Sequence, residues 1–190
     1  MRRRWLVGGL VVVLMVLVAG GYWFEPWRLF TTREVDERLP VAADQPTPGP
    51  TAPSGSAPDA QAAGTQPPGT QAPSGPVDLL RGRFVSHEHG TSGRVRVVGQ
   101  PDGSRLLAIE DLDTSDGPDL HVWLTDAEVS ADGWRVFDDG EYVDLGELRG
   151  NKGNLVYELP PRVDLADYQS VSIWCERFSV SFGAAALVPA

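Results

Sequence analysis

Along residues 77–190 apolar and polar positions alternate in short runs separated by turn signals, the period-two signature of half-buried strands. Gly82–His87 is a brief apolar-centred run. In Arg94-Val95-Arg96-Val97-Val98, the valines at 95 and 97 point inward and the arginines outward. The turn Gln100-Pro101-Asp102-Gly103 follows and Arg105–Leu112 returns, which predicts a hairpin. Leu120-His121-Val122-Trp123-Leu124 puts Leu120, Val122 and Leu124 on one face. Asp132-Gly133 and Asp139-Gly140 mark further turns, with shorter strand candidates at Tyr142–Leu148 and Asn154–Leu159. Pro160-Pro161 then breaks the chain before a last apolar run, Tyr168–Val188. No stretch holds a 3.6-residue period for long. The prediction is an all-β domain, an antiparallel β-sandwich or partly closed barrel.

The first seventy-six residues follow other rules. Arg2, Arg3 and Arg4 precede twenty uncharged residues, Trp5–Phe24, which as a helix rising ~1.5 Å per residue match a hydrocarbon core of ~30 Å. The arginines set the N-terminus in the cytoplasm, and Tyr22, Trp23 and Trp27 form an interfacial belt at the far end. Residues 1–24 are therefore read as an uncleaved transmembrane anchor, with a cleaved signal peptide ending at Val18-Ala19-Gly20 as the rival. Residues 25–39 form a short juxtamembrane segment without a clear pattern. From Pro40 to Pro76 the chain turns to Pro, Ala, Gly, Ser, Thr and Gln, which cannot bury enough apolar surface to offset ordering entropy. This segment is expected to be a disordered spacer, extended to at most ~100 Å at ~3.1 Å per residue. The β-domain at 77–190 would then stand outside the cell membrane, single-pass, held off by that spacer.

Charge narrows the function. The net charge is −10, and residues 77–190 hold all the excess, with twenty carboxylates against ten basic groups. Such a surface repels nucleic acid. No nucleophile elbow, P-loop or zinc-protease motif is present, so hydrolase and transferase chemistry has no support.

One cysteine, Cys175, lies in Val171-Ser172-Ile173-Trp174-Cys175-Glu176-Arg177-Phe178-Ser179-Val180. A single thiol excludes an intramolecular disulfide and a CxxC motif. Apolar residues occupy odd positions up to Cys175 and even ones from Phe178, a change of phase that an inserted residue at Glu176-Arg177 would produce as a β-bulge. In phase with Val171 and Ile173, Cys175 faces the core, where a free thiol behaves as a small hydrophobe. Arg177 nearby could stabilise a thiolate. In an oxidising compartment a lone thiol must be sheltered or occupied by a ligand.

Ligand chemistry can be weighed against the available side chains. A blue-copper site is disfavoured, because no His follows residue 121 and both Met residues, 1 and 15, lie in the anchor. Thiolate-ligated haem needs one Cys only. His87 and His89 read as an exposed, inert loop, with His121 as a further imidazole. Asp111, Asp113, Asp116 and Asp119 fail the EF-hand pattern, leaving a looser calcium site or a turn-rich loop with solvated charge. Trp123, Trp134 and Trp174 could line a ligand groove or cover a second core layer.

Taken together, Ile109–Thr125 (IEDLDTSDGPDLHVWLT), Asp144–Pro160 (DLGELRGNKGNLVYELP) and Val163–Leu187 (VDLADYQSVSIWCERFSVSFGAAAL) resemble the DM-thirteen, or electron-transfer DM-thirteen, domain in order and spacing. His121 departs from it, standing where an aromatic residue is common. The resemblance implies an all-β extracytoplasmic module whose cysteine, matching Cys175, serves redox chemistry or ligates a haem or metal cofactor. Trp174 and Arg177 would then adjoin that cofactor, and a membrane redox protein or an envelope partner would be the counterpart. The competing function is a non-catalytic binding or scaffold module of the cell envelope, taking calcium, glycan or a protein partner.

Overall fold

The structure is a computed structural model that describes residues 2–41 and 75–190. The strands are β1 (Glu34–Asp36), β2 (Val77–Ser86), β3 (Ser92–Gly99), β4 (Arg105–Asp113), β5 (Leu120–Thr125), β6 (Tyr142–Glu147), β7 (Lys152–Leu159), β8 (Ser170–Cys175), β9 (Val180–Ala186) and β10 (Val188–Pro189). They hydrogen-bond in the order β1-β7-β4-β3-β2-β9-β8-β5-β6, with β10 added beside β2. The sheet curls so that β6 at one end approaches β7 near the other, giving a partly closed barrel, one of the two architectures expected from the alternation. All ladders are antiparallel except the parallel β1–β7 pair.

Strand β2 bends the sheet by serving two neighbours. Its first residues pair with β3, and Phe84–Ser86 pair with β9. Gly82 sits at the crossover, where a Cβ would stand 2.5 Å from the Ala186 carbonyl oxygen. The interior is filled by the inward residues of both halves, among them Val95, Val97, Leu107, Ile109, Val122, Leu124, Leu155, Val171, Ile173 and Cys175. A smaller core lies on the outer face, where Trp123, Phe137, Trp174 and Ala184 are covered by the connection from β5 to β6. The Trp123 and Trp174 rings stack at 5.1 Å, and Phe137 meets Trp174 edge-on. Two tryptophans therefore line a second core layer, and Trp134 stays exposed.

Ahead of the domain, α1 (Arg2–Phe24) is long and apolar enough to cross a membrane; helices of this kind serve as anchors or as signal sequences. A 3-10 turn, Pro26–Phe30, follows it and leads to β1. The segment 25–39, patternless in sequence, thus contributes a strand to the sheet. The expected disordered linker falls mainly on 42–74, outside the described residues.

Candidate functional site

The chain reverses direction immediately after Cys175. Glu176–Ser179 form a four-residue turn, closed by Phe178 N–H donating to Cys175 O at 3.3 Å, and Val180 pairs with Cys175 in β9. The apolar phase change is therefore a hairpin and not the bulge expected at Glu176-Arg177. A register shift does occur, but it lies deeper, opposite Ile173 and Trp174, where β9 holds the extra residue Phe182. Ser179 takes φ of 46°, one of three described non-glycine residues in the left-handed region.

Cys175 ends β8 with 0% exposure, inside the main core and opposite Leu120 and Val180. Burial pushes its thiol pKa up, and the backbone N–H groups of Phe178 and Arg177 only partly offset this. The Arg177 side chain does not serve the thiol. Its guanidinium donates to the Trp23 carbonyl oxygen and lies over the Trp23 ring, while Phe178 stacks on Phe24 at 6.0 Å. Trp174 points to the opposite face from Cys175, into the outer core.

A haem or metal held through Cys175 does not fit this site. The thiol has no open side, and no group of three potential ligands that includes it forms among the described residues. Two cavities in the β-domain lie elsewhere, one of 670 Å³ beside Asp102, Arg105 and Pro161 and one of 470 Å³ beside Arg81, Arg96 and Glu110.

What the fold does assemble beside the cysteine is a histidine among carboxylates. His121 pairs with Trp174 across β5 and β8, so it lies one register step from Cys175 on the outer face. Its Nδ1 stands 3.0 Å from Asp144 Oδ2 and 3.8 Å from Glu176 Oε1, and its Nε2 stands 3.7 Å from Asp119 Oδ1. His121, Asp144 and Glu176 each offer an atom within 4.8 Å of the others, a spacing that a divalent cation could bridge. Burial lowers the imidazole pKa, but the hydrogen bond and charge of Asp144, with Glu176 and Asp119, raise it overall. No local spacing foretold this group, since its members come from β5, β6 and the β8–β9 turn. Only the strand register brings them together.

The four acidic candidates are not convergent. Asp111 occupies a bulge in β4 with φ of 50° and pairs with Arg94 at 2.6 Å. Asp113 pairs with Lys152 at 3.0 Å. Asp116 is buried and accepts from Thr31 Oγ1 at 2.7 Å and Arg33 Nη2 at 3.0 Å. Only Asp119 of the four joins the histidine cluster. The two earlier histidines also differ from the exposed, inert loop expected of them. His87 is buried, with Nδ1 2.9 Å from Ser181 Oγ and Nε2 3.1 Å from Ser130 O, and His89 lies over Phe182 at 4.0 Å. Burial lowers both of their pKa values.

No curated protein and no solved structure matches this chain. A family model does: electron transfer DM13, over residues 83–187. That span runs from within β2 to the end of β9, taking in Cys175, His121, Asp144 and Glu176, and it covers more than half of the chain. The protein is a member of the electron transfer DM13 family.

Proposed function

We propose that this protein is a membrane-anchored, extracytoplasmic electron-transfer module whose chemistry is concentrated where β5, β6 and the β8–β9 hairpin meet. The observation that carries the reading is the placement of the only thiol directly behind the His121–Asp144–Glu176 cluster, inside a domain of an electron-transfer family. In this reading the electron-transfer role is centred on Cys175. Its burial, behind a hairpin turn of four residues, lets a lone cysteine persist as a thiol in an oxidising compartment. The counterpart is a redox protein of the same membrane. The N-terminal arginines and the uncharged stretch Trp5–Phe24 support the sidedness.

A second reading is favoured by a different observation. The thiol is fully enclosed and its pKa is raised, properties of a structural cysteine, while the surface carries a cation-sized ligand set. In that reading the domain is a non-catalytic envelope module that binds a divalent cation through His121, Asp144 and Glu176.

The full chain in mild detergent decides between them. Thiol titration before and after a chemical oxidant, absorbance spectra and metal analysis are run beside Cys175→Ser and Asp144→Asn. Reversible loss of one native thiol, absent from Cys175→Ser, supports the redox reading. A thiol inert until the protein unfolds, with zinc or manganese raising the melting temperature in the parent but not in Asp144→Asn, establishes the binding reading.

A further inference from the structure

The juxtamembrane segment is built into the β-domain more thoroughly than a passing strand requires. In β1, Glu34, Val35 and Asp36 run parallel to Lys152, Gly153 and Asn154 of β7. The receiving backbone is shaped for them. A Cβ on Gly150 would stand 2.5 Å from Val35 Cγ2, and Gly153, with φ of 103°, lies against the Val35 carbonyl. Two glycines in four residues open a slot that a side chain would fill.

Polar partners fix the register of the segment in that slot. The buried Asn151 carboxamide accepts from Arg33 N–H at 2.7 Å and donates to Thr114 O at 2.7 Å. Asn151 N–H in turn donates to Arg33 O at 3.0 Å. Glu37 takes a two-point bond from Arg149, at 2.8 and 2.7 Å, and a third from Val156 N–H at 2.7 Å. Asp116 receives Thr31 and Arg33, and Arg28 reaches Gly117 O at 3.2 Å. Without residues 28–37, Asn151 Oδ1 would lose the Arg33 N–H and the Asp116 carboxylate would lose Thr31 and Arg33, so both would have to exchange these donors for water. The β7 edge would also be open.

We infer that the β-domain is mounted directly on the membrane helix by residues 28–37, and that residues 42–74 are a side connection between two parts of one sheet and not the tether that sets its distance from the bilayer. The inference rests on the reading of α1 as an uncleaved anchor. Phe24 and Glu34 are ten positions apart, part of that distance taken up by the 3-10 turn, so the domain stays at the membrane surface. A spacer of residues 40–76 would instead let it range on the order of 100 Å. Arg177 and Phe178 meet Trp23 and Phe24, so the end that carries Cys175 and His121 is the one beside the bilayer. A redox partner in the same membrane is then within reach without any movement of the spacer.

The test joins the two sides of the slot covalently and then cuts the chain between them. The full protein, carrying Asp36→Cys and Asn154→Cys and a protease site inserted between Gly64 and Thr65, is oxidised in native membranes and cleaved. Both variants also carry Cys175→Ala, so that the introduced cysteines are the only thiols. Most of the cleaved β-domain fragment should stay with the membrane through a urea wash and leave only when reductant is added. Asp36→Cys paired with Glu158→Cys, four residues out of register, should show at least tenfold less of this linkage. Release of the aligned variant's β-domain without reductant, at the level of the misaligned control, overturns the inference. Failure of the anchor reading is seen separately, since the uncut protein would then be soluble before any protease is added.

Discussion

Replacing Cys175 measures whether the core or the chemistry needs the sulfur. Cys175→Ala deletes one buried heavy atom among Leu120, Val180 and the rest of the main core and leaves a small cavity, a loss of about 1 kcal/mol. Cys175→Ser keeps the volume but places a hydroxyl where the nearest donors are backbone amides, one of them already bonded to Cys175 O. Burying a poorly satisfied hydroxyl costs about 1–3 kcal/mol. For a domain of this size 1 kcal/mol corresponds to about 4 °C, so Ser should lower the melting temperature by roughly 4–12 °C, as much as Ala or more. Thermal and urea unfolding of the full chain in detergent would be read beside the rate of native thiol labelling at pH 8, where the raised pKa keeps Cys175 protonated and slow. A Ser variant as stable as the parent, together with a native thiol that labels as fast as a free peptide thiol, would refute the sheltered placement.

Trp174→Ala should destabilise by about 3–5 kcal/mol, read by urea unfolding, because the ring is buried between Trp123 and Phe137. Arg33→Ala should cost about 1–2 kcal/mol, less than a fully buried pair because Arg33 itself is 46% exposed while Asp116 is 3% exposed. Asp116→Asn in the Arg33→Ala background should recover part of that loss. His121 has a raised folded-state pKa, so its stabilisation is complete below its ordinary value of 6.5 and disappears as pH rises through the folded value. His121→Asn should remove that alkaline-side decline from a pH series of urea midpoints. His87 is shifted the other way, so its contribution is complete above 6.5 and is lost as pH falls through the lowered value. His87→Asn should flatten the acid side of the same series.

Alternation carried most of the fold. Val95 and Val97, or Leu120, Val122 and Leu124, identify their inward faces because a curled sheet buries one side continuously. The same rule fails on β8, where Ser170, Ser172 and Trp174 form the other face and are buried as well, beneath a connection whose path no local pattern encodes. At Cys175 the phase change fits either an extra residue or a turn of even length. Only the Cys175–Val180 pairing decides for the turn. Glu34-Val35-Asp36 carries no strand signal, since its pairing depends on the slot between Gly150 and Gly153 more than on its own side chains. The functional candidates follow the same division. Cys175 was visible as the only thiol, whereas Asp144 and Glu176 become partners of His121 through strand register alone.

The pairing of β9 with β2 has a consequence for how the chain matures. About a hundred residues separate the two strands, so this ladder closes one of the longest loops in the domain, and contacts of such high sequence separation slow folding. During synthesis β2, β3 and β4 can zip as a meander early, but β2 keeps its Phe84–Ser86 edge open until the C-terminal hairpin emerges. Cys175 is shielded in that same final step, when Val180 comes down beside it. Until the last strands arrive, an incomplete chain presents both an unpaired edge and its only reactive sulfur.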